Sequence, residues 1–237
     1  MAWNRIRGEV WMANTNPLFF IAKLIPYLAQ GLITTLQMTL LSFSFGLCIA
    51  TILTLMRVFG NSPLRIIARS YVEVFRGTPT LVQLLLIYFG LPSIGVKFNA
   101  ITAAIITLSL NSAAYQAEIL RASIKAIPET QYLSAESLGM NALQIYRYVV
   151  LPQALRNAIP ALVNEIVALV KESSLASVIG VVELTRRGEY MVAYTFRAFE
   201  VYIAVALVYL AVCLALSQLS KIIESKLKIP GYERGKA

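Results

Sequence analysis

The sequence predicts an all-α integral membrane protein of five transmembrane helices, with one folded polar loop between the third and the fourth. Three observations predict it. Hydrophobic residues make up 58% of the 237-residue chain and charged residues 14%, against roughly 45–50% and about 25% in soluble domains. Charge-free stretches of 20 residues or more recur along the chain, each enough helix to cross a hydrocarbon core of about 30 Å. The basic residues fall mostly between and after these stretches, where they report topology.

Taken in order, residues 1–16 carry Arg5, Arg7 and Glu9, with Trp3, Ile6, Val10 and Trp11 near helical spacing. They read as an N-terminal extension on the membrane interface, with no cleavage site of a signal peptide. Residues 24–56 hold no charge across 33 positions, more than one crossing needs. Pro26 and Gly31 therefore predict a short interfacial helix to about Ala29 and a first span from about Leu32. Residues 77–96 form the second span, broken near Gly77 and Pro79 and bracketed by Tyr71 and Tyr88 as interfacial aromatics. Residues 98–117 form the third. The fourth, about 148–170, carries Pro152, Arg156, Pro160, Asn164 and Glu165; such groups at membrane depth must face protein or water, so this helix is interior. Residues 173–179 are apolar but too short to span, and read as a partly buried re-entrant element. Residues 201–220 complete the set.

Five spans put the termini on opposite sides. With the N-terminus outside, 13 of the 21 Lys and Arg lie in the cytoplasm, which the positive-inside rule favours. The formal charge of +9 then points to topology and anionic membrane lipid, with no nucleic acid partner. Cys48 and Cys213 lie inside apolar spans and act as small hydrophobes. The chain has no His and no Asp, which excludes His general-base chemistry, His metal ligands and an Asp-based Mg²⁺ site. It also lacks a phosphate-binding G-x-x-x-x-G-K-[ST] run, so it is no P-loop ATPase.

The loop at about 128–152 has its own helix grammar. Pro128 suits a first turn, with Glu129 at the positive helix end. Gly139 ends the helix in a left-handed cap, and Asn141 with Gln144 forms a capping-box pair for the next. That second helix runs through Tyr146 and Tyr148 into the fourth span, where Pro152 disturbs it. Leu133, Leu138, Met140 and Leu143 leave apolar surface on this knob, which awaits a partner or packs on its own subunit.

At this point the chain resembles a family. Gly139, Val149, Leu151 and Pro152 match the spacing of the cytoplasmic "EAA" loop of ABC importer permeases, Glu-Ala-Ala-x3-Gly-x9-Ile-x-Leu-Pro. The departure is at the front, where Leu133, Ser134 and Ala135 stand for Glu-Ala-Ala and Glu136 lies one turn later. "FRGTPTLVQLLLIYFGLP" from Phe75, "LSLNSAAYQAEILRASIKAIP" from Leu108 and "LVKESSLASVIGVVEL" from Leu169 narrow the resemblance to the polar amino acid permeases of the histidine, glutamine and arginine type. It covers about residues 18–229.

The resemblance implies the type I ABC importer permease fold over residues 17–237, in a bacterial plasma (inner) membrane. It implies a subunit that pairs with a second permease, identical or related, and with two ATP-binding cassette subunits that hold ATP and Mg²⁺, this chain holding no cofactor. An external solute-binding protein delivers the amino acid. The loop becomes a coupling helix, its contacts drawn from Leu133, Ala135, Glu136, Leu138, Gly139 and Met140. The alternative is an ATPase-independent secondary transporter or channel for small polar solutes.

For the substrate, Asn111, Tyr115 and Glu118 share one face of the third span. Asn157, Ala161, Asn164, Ala168 and Lys171 stripe the fourth, with Glu165 beside them, and Thr78 and Gln83 follow the break in the second. Thr78, Gln83, Asn111, Tyr115, Asn164 and Glu165 are the expected substrate ligands, against the alternative that such groups only hold helices together. Glu118 is expected to pair with Arg121, and Lys171 and Glu172 to be exposed at the outer helix end.

Overall fold

Helix α1 (Pro17–Phe59) runs unbroken for 43 residues in a computed structural model that describes residues 17–227. The expected break at Pro26 and Gly31 is absent, and a packing reason replaces it. Phe20, Leu24 and Leu28 are buried in one cluster with Leu184, Met191, Val201, Ala204 and Val205, so the first turns of α1 are held by tertiary contact. Gly31 is a point of close approach: a side chain there would come within 2.8 Å of Arg187 Cδ and 2.9 Å of the Glu183 carbonyl. Several hydroxyls along α1 bond back onto their own helix, Thr39 to the Thr35 carbonyl at 2.9 Å and Thr54 to the Ala50 carbonyl at 2.7 Å, and so need no water; Thr35 and Ser42 instead reach Glu183 and the Ile105 carbonyl. The expected extension at residues 1–16 lies outside the described residues.

Helix α2 (Ser62–Gly77) starts on a sequence-local cap, the Asn61 side chain accepting from the Leu64 amide at 3.2 Å. At Thr78 and Pro79 the chain turns by 103° into a short helical run, Thr80–Ile94. This run opens as α3 (Thr80–Leu85), passes through a π turn and ends in a 3₁₀ turn. The break expected near Gly77 and Pro79 is therefore present, and the stretch expected to span at 77–96 is the short second limb of a bent pair. Tyr71, expected at the interface, instead donates its hydroxyl to the Leu110 carbonyl at 2.9 Å and ties α2 to the next helix.

That helix, α4 (Ala100–Lys125), is the centre of the fold and packs against α1, α2, α3 and α7. Its buried side is made of small and polar residues, among them Ala103, Ala104, Ser109, Ser112, Ala113 and Ala117, which let neighbouring backbones approach closely. After the loop helices α5 (Glu129–Ser137) and α6 (Ala142–Ile145), helix α7 (Leu151–Glu172) continues through Pro160. A 3₁₀ segment, Ser173–Ile179, follows as the partly buried element the sequence predicts. Helices α8 (Leu184–Thr195) and α9 (Ala198–Leu227) complete the described chain.

By length and composition, two described helices can cross a membrane, Phe19–Phe59 and Ala198–Ile223, or three if the bent pair is one span. The expected five apolar spans thus reduce to fewer by that measure. Helices α4 and α7 have the length, at 26 and 22 residues, but α4 carries polar groups that its neighbours cover, and α7 carries Arg156, Asn164 and Glu165. Hydropathy undercounts helices whose environment is protein.

Candidate substrate and coupling sites

The polar residues expected to bind substrate divide into two groups on either side of α4. In the first, Gln83 donates to the Phe75 carbonyl at 2.9 Å, the Thr78 carbonyl at 3.1 Å and Thr78 Oγ1 at 2.8 Å. Asn111 donates to Gln83 Oε1 at 3.1 Å and to the Phe75 carbonyl at 3.2 Å. The bend at Gly77 to Pro79 frees backbone carbonyls, and these two buried amides satisfy them. Gln83 and Asn111 therefore hold the bend, and their amide NH₂ groups are occupied. Thr78 remains exposed beside them, and Tyr115 is partly exposed with the Arg76 guanidinium 5.2 Å from its ring centre.

The second group centres on Glu165 of α7. Ser112 donates to Glu165 Oε1 at 2.6 Å, and Gln116 in turn donates to Ser112 Oγ at 2.9 Å. A chain of donors from α4 thus orients one carboxylate oxygen. Among the described residues no Lys or Arg forms an ion pair with Glu165. Asn164, next to it, is exposed. Ser112 and Gln116 escaped the sequence reading because a polar residue inside a span carries no mark of its partner. Their spacing of one helical turn, beside Asn111, was the available signal.

Glu118 behaves as expected and more so. It pairs with Arg121 on its own helix and with Arg57 at the end of α1, at 2.7 Å. Glu172 departs from expectation: it is partly covered and lines a small cavity with Thr80, Thr107 and Leu175. Glu183 was not expected at all. It is fully buried, and its carboxylate accepts from the Arg186 amide at 2.8 Å, the Thr185 amide at 2.9 Å and Tyr209 Oη at 2.9 Å. It caps α8 while binding α9, the role that Asp commonly fills in chains that contain Asp.

The loop folds as its sequence dictates. Gly139 has φ +77°; its amide donates to the Glu136 carbonyl at 2.8 Å, and the Met140 amide donates to the Ala135 carbonyl at 3.2 Å. These two bonds make a Schellman corner. Asn141 accepts from the Gln144 amide at 3.0 Å, and Gln144 Oε1 accepts from the Asn141 amide at 2.8 Å, closing the capping box. The helix then passes through a π turn, Tyr146–Val150, just before Pro152, whose missing N–H lets the ladder slip there.

Two expected contact residues point the other way. Ala135 is buried and Met140 is packed beside it, in a cluster with Ile127, Ile145, Val150 and Ala154. They anchor the knob to its own subunit, because a Schellman corner closes with an apolar contact across it. Leu133, Glu136, Leu138 and Gly139 stay exposed, Leu138 at 82%. Phe59 meets Tyr146 edge to face at 4.8 Å, fixing the knob to the end of α1.

A polar-cored helical bundle with a carboxylate inside and a rigid knob at one end defines a membrane transport subunit. Comparison gives the particular family. Residues 43–229 match the model of the binding-protein-dependent transport system inner membrane component, and the chain belongs to that family. It is similar to the arginine transport system permease protein ArtQ of Bacillus subtilis, 40% identical, covering 86% of this chain and 94% of the relative. It is also similar to a provisionally named glutamine transport system permease protein, GlnP, of Rickettsia conorii, 38% identical over 88% and 97%. Among solved structures, the crystal structure of an amino acid ABC transporter with histidines matches with a TM-score of 0.85 and 42% identity, over 90% of this chain and 99% of that one. The fold is the all-helical type I ABC importer permease fold, and the chain is a multi-pass transport component of the inner membrane.

Proposed function

We propose that this subunit carries a polar amino acid with a basic side chain into the cytoplasm, with Glu165 as the group that reads the positive charge. The observation that carries the reading is Glu165 itself: a partly covered carboxylate in a membrane helix, held by Ser112 at 2.6 Å and, among the described residues, unpaired with any cation. A carboxylate in that setting needs a cationic partner, a proton or water. A bound amino acid supplies the cation. Asn164 and Tyr115 offer exposed polar groups toward the solute; Thr78 adds only an acceptor lone pair, its hydroxyl donating to the Val74 carbonyl at 2.8 Å, while Gln83 and Asn111 support the bend. Relatives named for arginine and glutamine transport support an amino acid as the solute.

The same reading has the chain cross the membrane five times, with the N-terminus outside and the C-terminus in the cytoplasm. It pairs with a second permease and with two ATPase subunits, which hold ATP and Mg²⁺, and receives its solute from an external binding protein. Helix α5 docks on the ATPase through Leu133, Glu136 and Leu138. Coupling follows from continuity: the knob runs through the π turn directly into α7, and Glu165 lies 13 residues beyond Pro152, about 20 Å along the helix. Tilting the knob tilts the helix that holds the substrate's partner, as alternating access requires. An ATPase-independent transporter has no use for a rigid apolar knob outside the membrane.

The experiment is competition for ATP-driven uptake of labelled arginine in proteoliposomes holding the purified complex and its binding protein. Lysine and histidine are expected to compete well ahead of glutamate. Equal competition by glutamate and arginine overturns the reading of Glu165 as a detector of a cationic side chain.

A further inference from the structure

The ends of α1 and α4 meet α2 and the base of the knob around a pocket of about 580 Å³, within the range of small-molecule sites. Five cationic side chains line it: Arg57, Arg65, Arg69, Arg121 and Lys125. Only one carboxylate, Glu129, lines it with them. Glu118 engages Arg57 and Arg121, and Glu73 engages Arg69 at 2.7 Å. Among the described residues Arg65 and Lys125 have no ion-pair partner. The wall thus carries an excess of positive charge that repels itself and attracts an anion.

A second feature says what kind of anion. Arg65 and Arg69 stand on α2 among Leu64, Ile66 and Ile67, which are 40%, 64% and 59% exposed. Cationic head-binding groups and an apolar outer surface therefore adjoin on one short helix, the pairing an amphiphile needs. Tyr132 and Tyr146 complete the wall, amphipathic rings of the kind that sit at headgroup level. The pocket also lies where the charge-free stretches of α1 and α4 end, at Arg57 and Glu118. A free phosphate would use the charges alone; a phospholipid uses both features.

We propose that this pocket binds the phosphate of an anionic phospholipid headgroup, its acyl chains lying along the outer face of α2. The inference rests on the orientation proposed above only for placing the lipid in the cytoplasmic leaflet. Occupancy would neutralise the basic wall and brace the α1–α2 corner against the knob.

The test uses the purified complex of this permease with its ATPase, in nanodiscs of phosphatidylcholine with or without phosphatidylglycerol. Native mass spectrometry then counts the lipids retained after release. Wild type is expected to retain phosphatidylglycerol in preference to phosphatidylcholine. R65Q and K125Q should each lower that preference roughly fivefold, corresponding to about 1 kcal/mol per basic residue at an anionic surface. R65K should keep it, which separates charge from folding. Unchanged retention in the R65Q/K125Q double variant overturns the site. Displacement of the lipid by millimolar inorganic phosphate overturns the lipid in favour of a free anion. Loss of the ATPase from the variants, with lipid retention intact, assigns the wall to ATPase docking instead. Lipid retention is read without transport, so its outcome does not depend on the substrate reading.

Discussion

Replacing Gly139 by Asn, Ala and Val applies one perturbation in graded steps to the corner between α5 and α6. Its φ of +77° is the left-handed region, and a Cβ built there meets nothing within 4 Å. The cost is therefore conformational, not steric. An L-residue in that region loses about 1–2 kcal/mol, Asn less because its short polar side chain tolerates it, and a β-branched residue more. One to two kcal/mol shifts the balance between this corner and an unwound alternative by roughly 5- to 30-fold. Unwinding releases the two bonds that close the corner, 2.8 Å from Gly139 and 3.2 Å from Met140, and softens the lever that ends at Glu165. ATP-driven uptake and ATPase stimulation by the loaded binding protein, measured in proteoliposomes, should fall in the order Asn, Ala, Val. The amount of inserted chain should stay constant. If Gly139→Val and Gly139→Asn both transport like wild type, the corner transmits nothing and the coupling account fails.

The two apolar residues of the knob should separate. Leu138→Glu should reduce co-purification of the ATPase with the chain still stable, because Leu138 faces outward. Met140→Glu should instead lower the melting temperature of the subunit, because it puts a charge into the cluster of Ala135 and Ile145. Equal ATPase loss in both would mean that Met140 also faces the partner. Gly31→Val should destabilise by at least about 1–3 kcal/mol, since two of the three atoms it meets are backbone of Glu183 and Leu184, at 2.9 Å; a normal detergent-solubilised melting curve would show that α1 and α8 can part. Glu183→Gln should cost about 1.5–3 kcal/mol, because its new NH₂ meets amide donors at Thr185 or Arg186. A thermal scan that matches wild type would show that this carboxylate is not a structural tie.

What the sequence made legible was what acts within a few residues. The Gly139 corner, the Asn141 and Gln144 box and the pairing of Glu118 with Arg121 all close within a few positions, where spacing alone fixes geometry. What stayed hidden depends on distant partners. Thr35 and Glu183 meet across 148 positions, and Gly31 looked like a breaker because the α8 residues that need its small size lie far along the chain. The hydrogen bonds of Gln83 and Asn111 to the bend were hidden for the same reason. An amide inside a span carries no sign of whether solute or a freed carbonyl will take its hydrogens, and here the bend at Pro79 takes them. The partial burial of Met140 was hidden as well, since apolar residues at a Schellman corner pack inward on it.

The most direct test of the account is the affinity of the purified complex for arginine in wild type and Glu165→Gln. Gln keeps the shape and the Ser112 contact while removing the charge. A charge-assisted bond contributes about 1.5–3 kcal/mol, so arginine affinity should fall roughly ten- to a hundredfold, with the melting temperature of the complex unchanged. Unchanged arginine affinity together with a lowered melting temperature would contradict it, making Glu165 an interhelical tie and placing the substrate elsewhere.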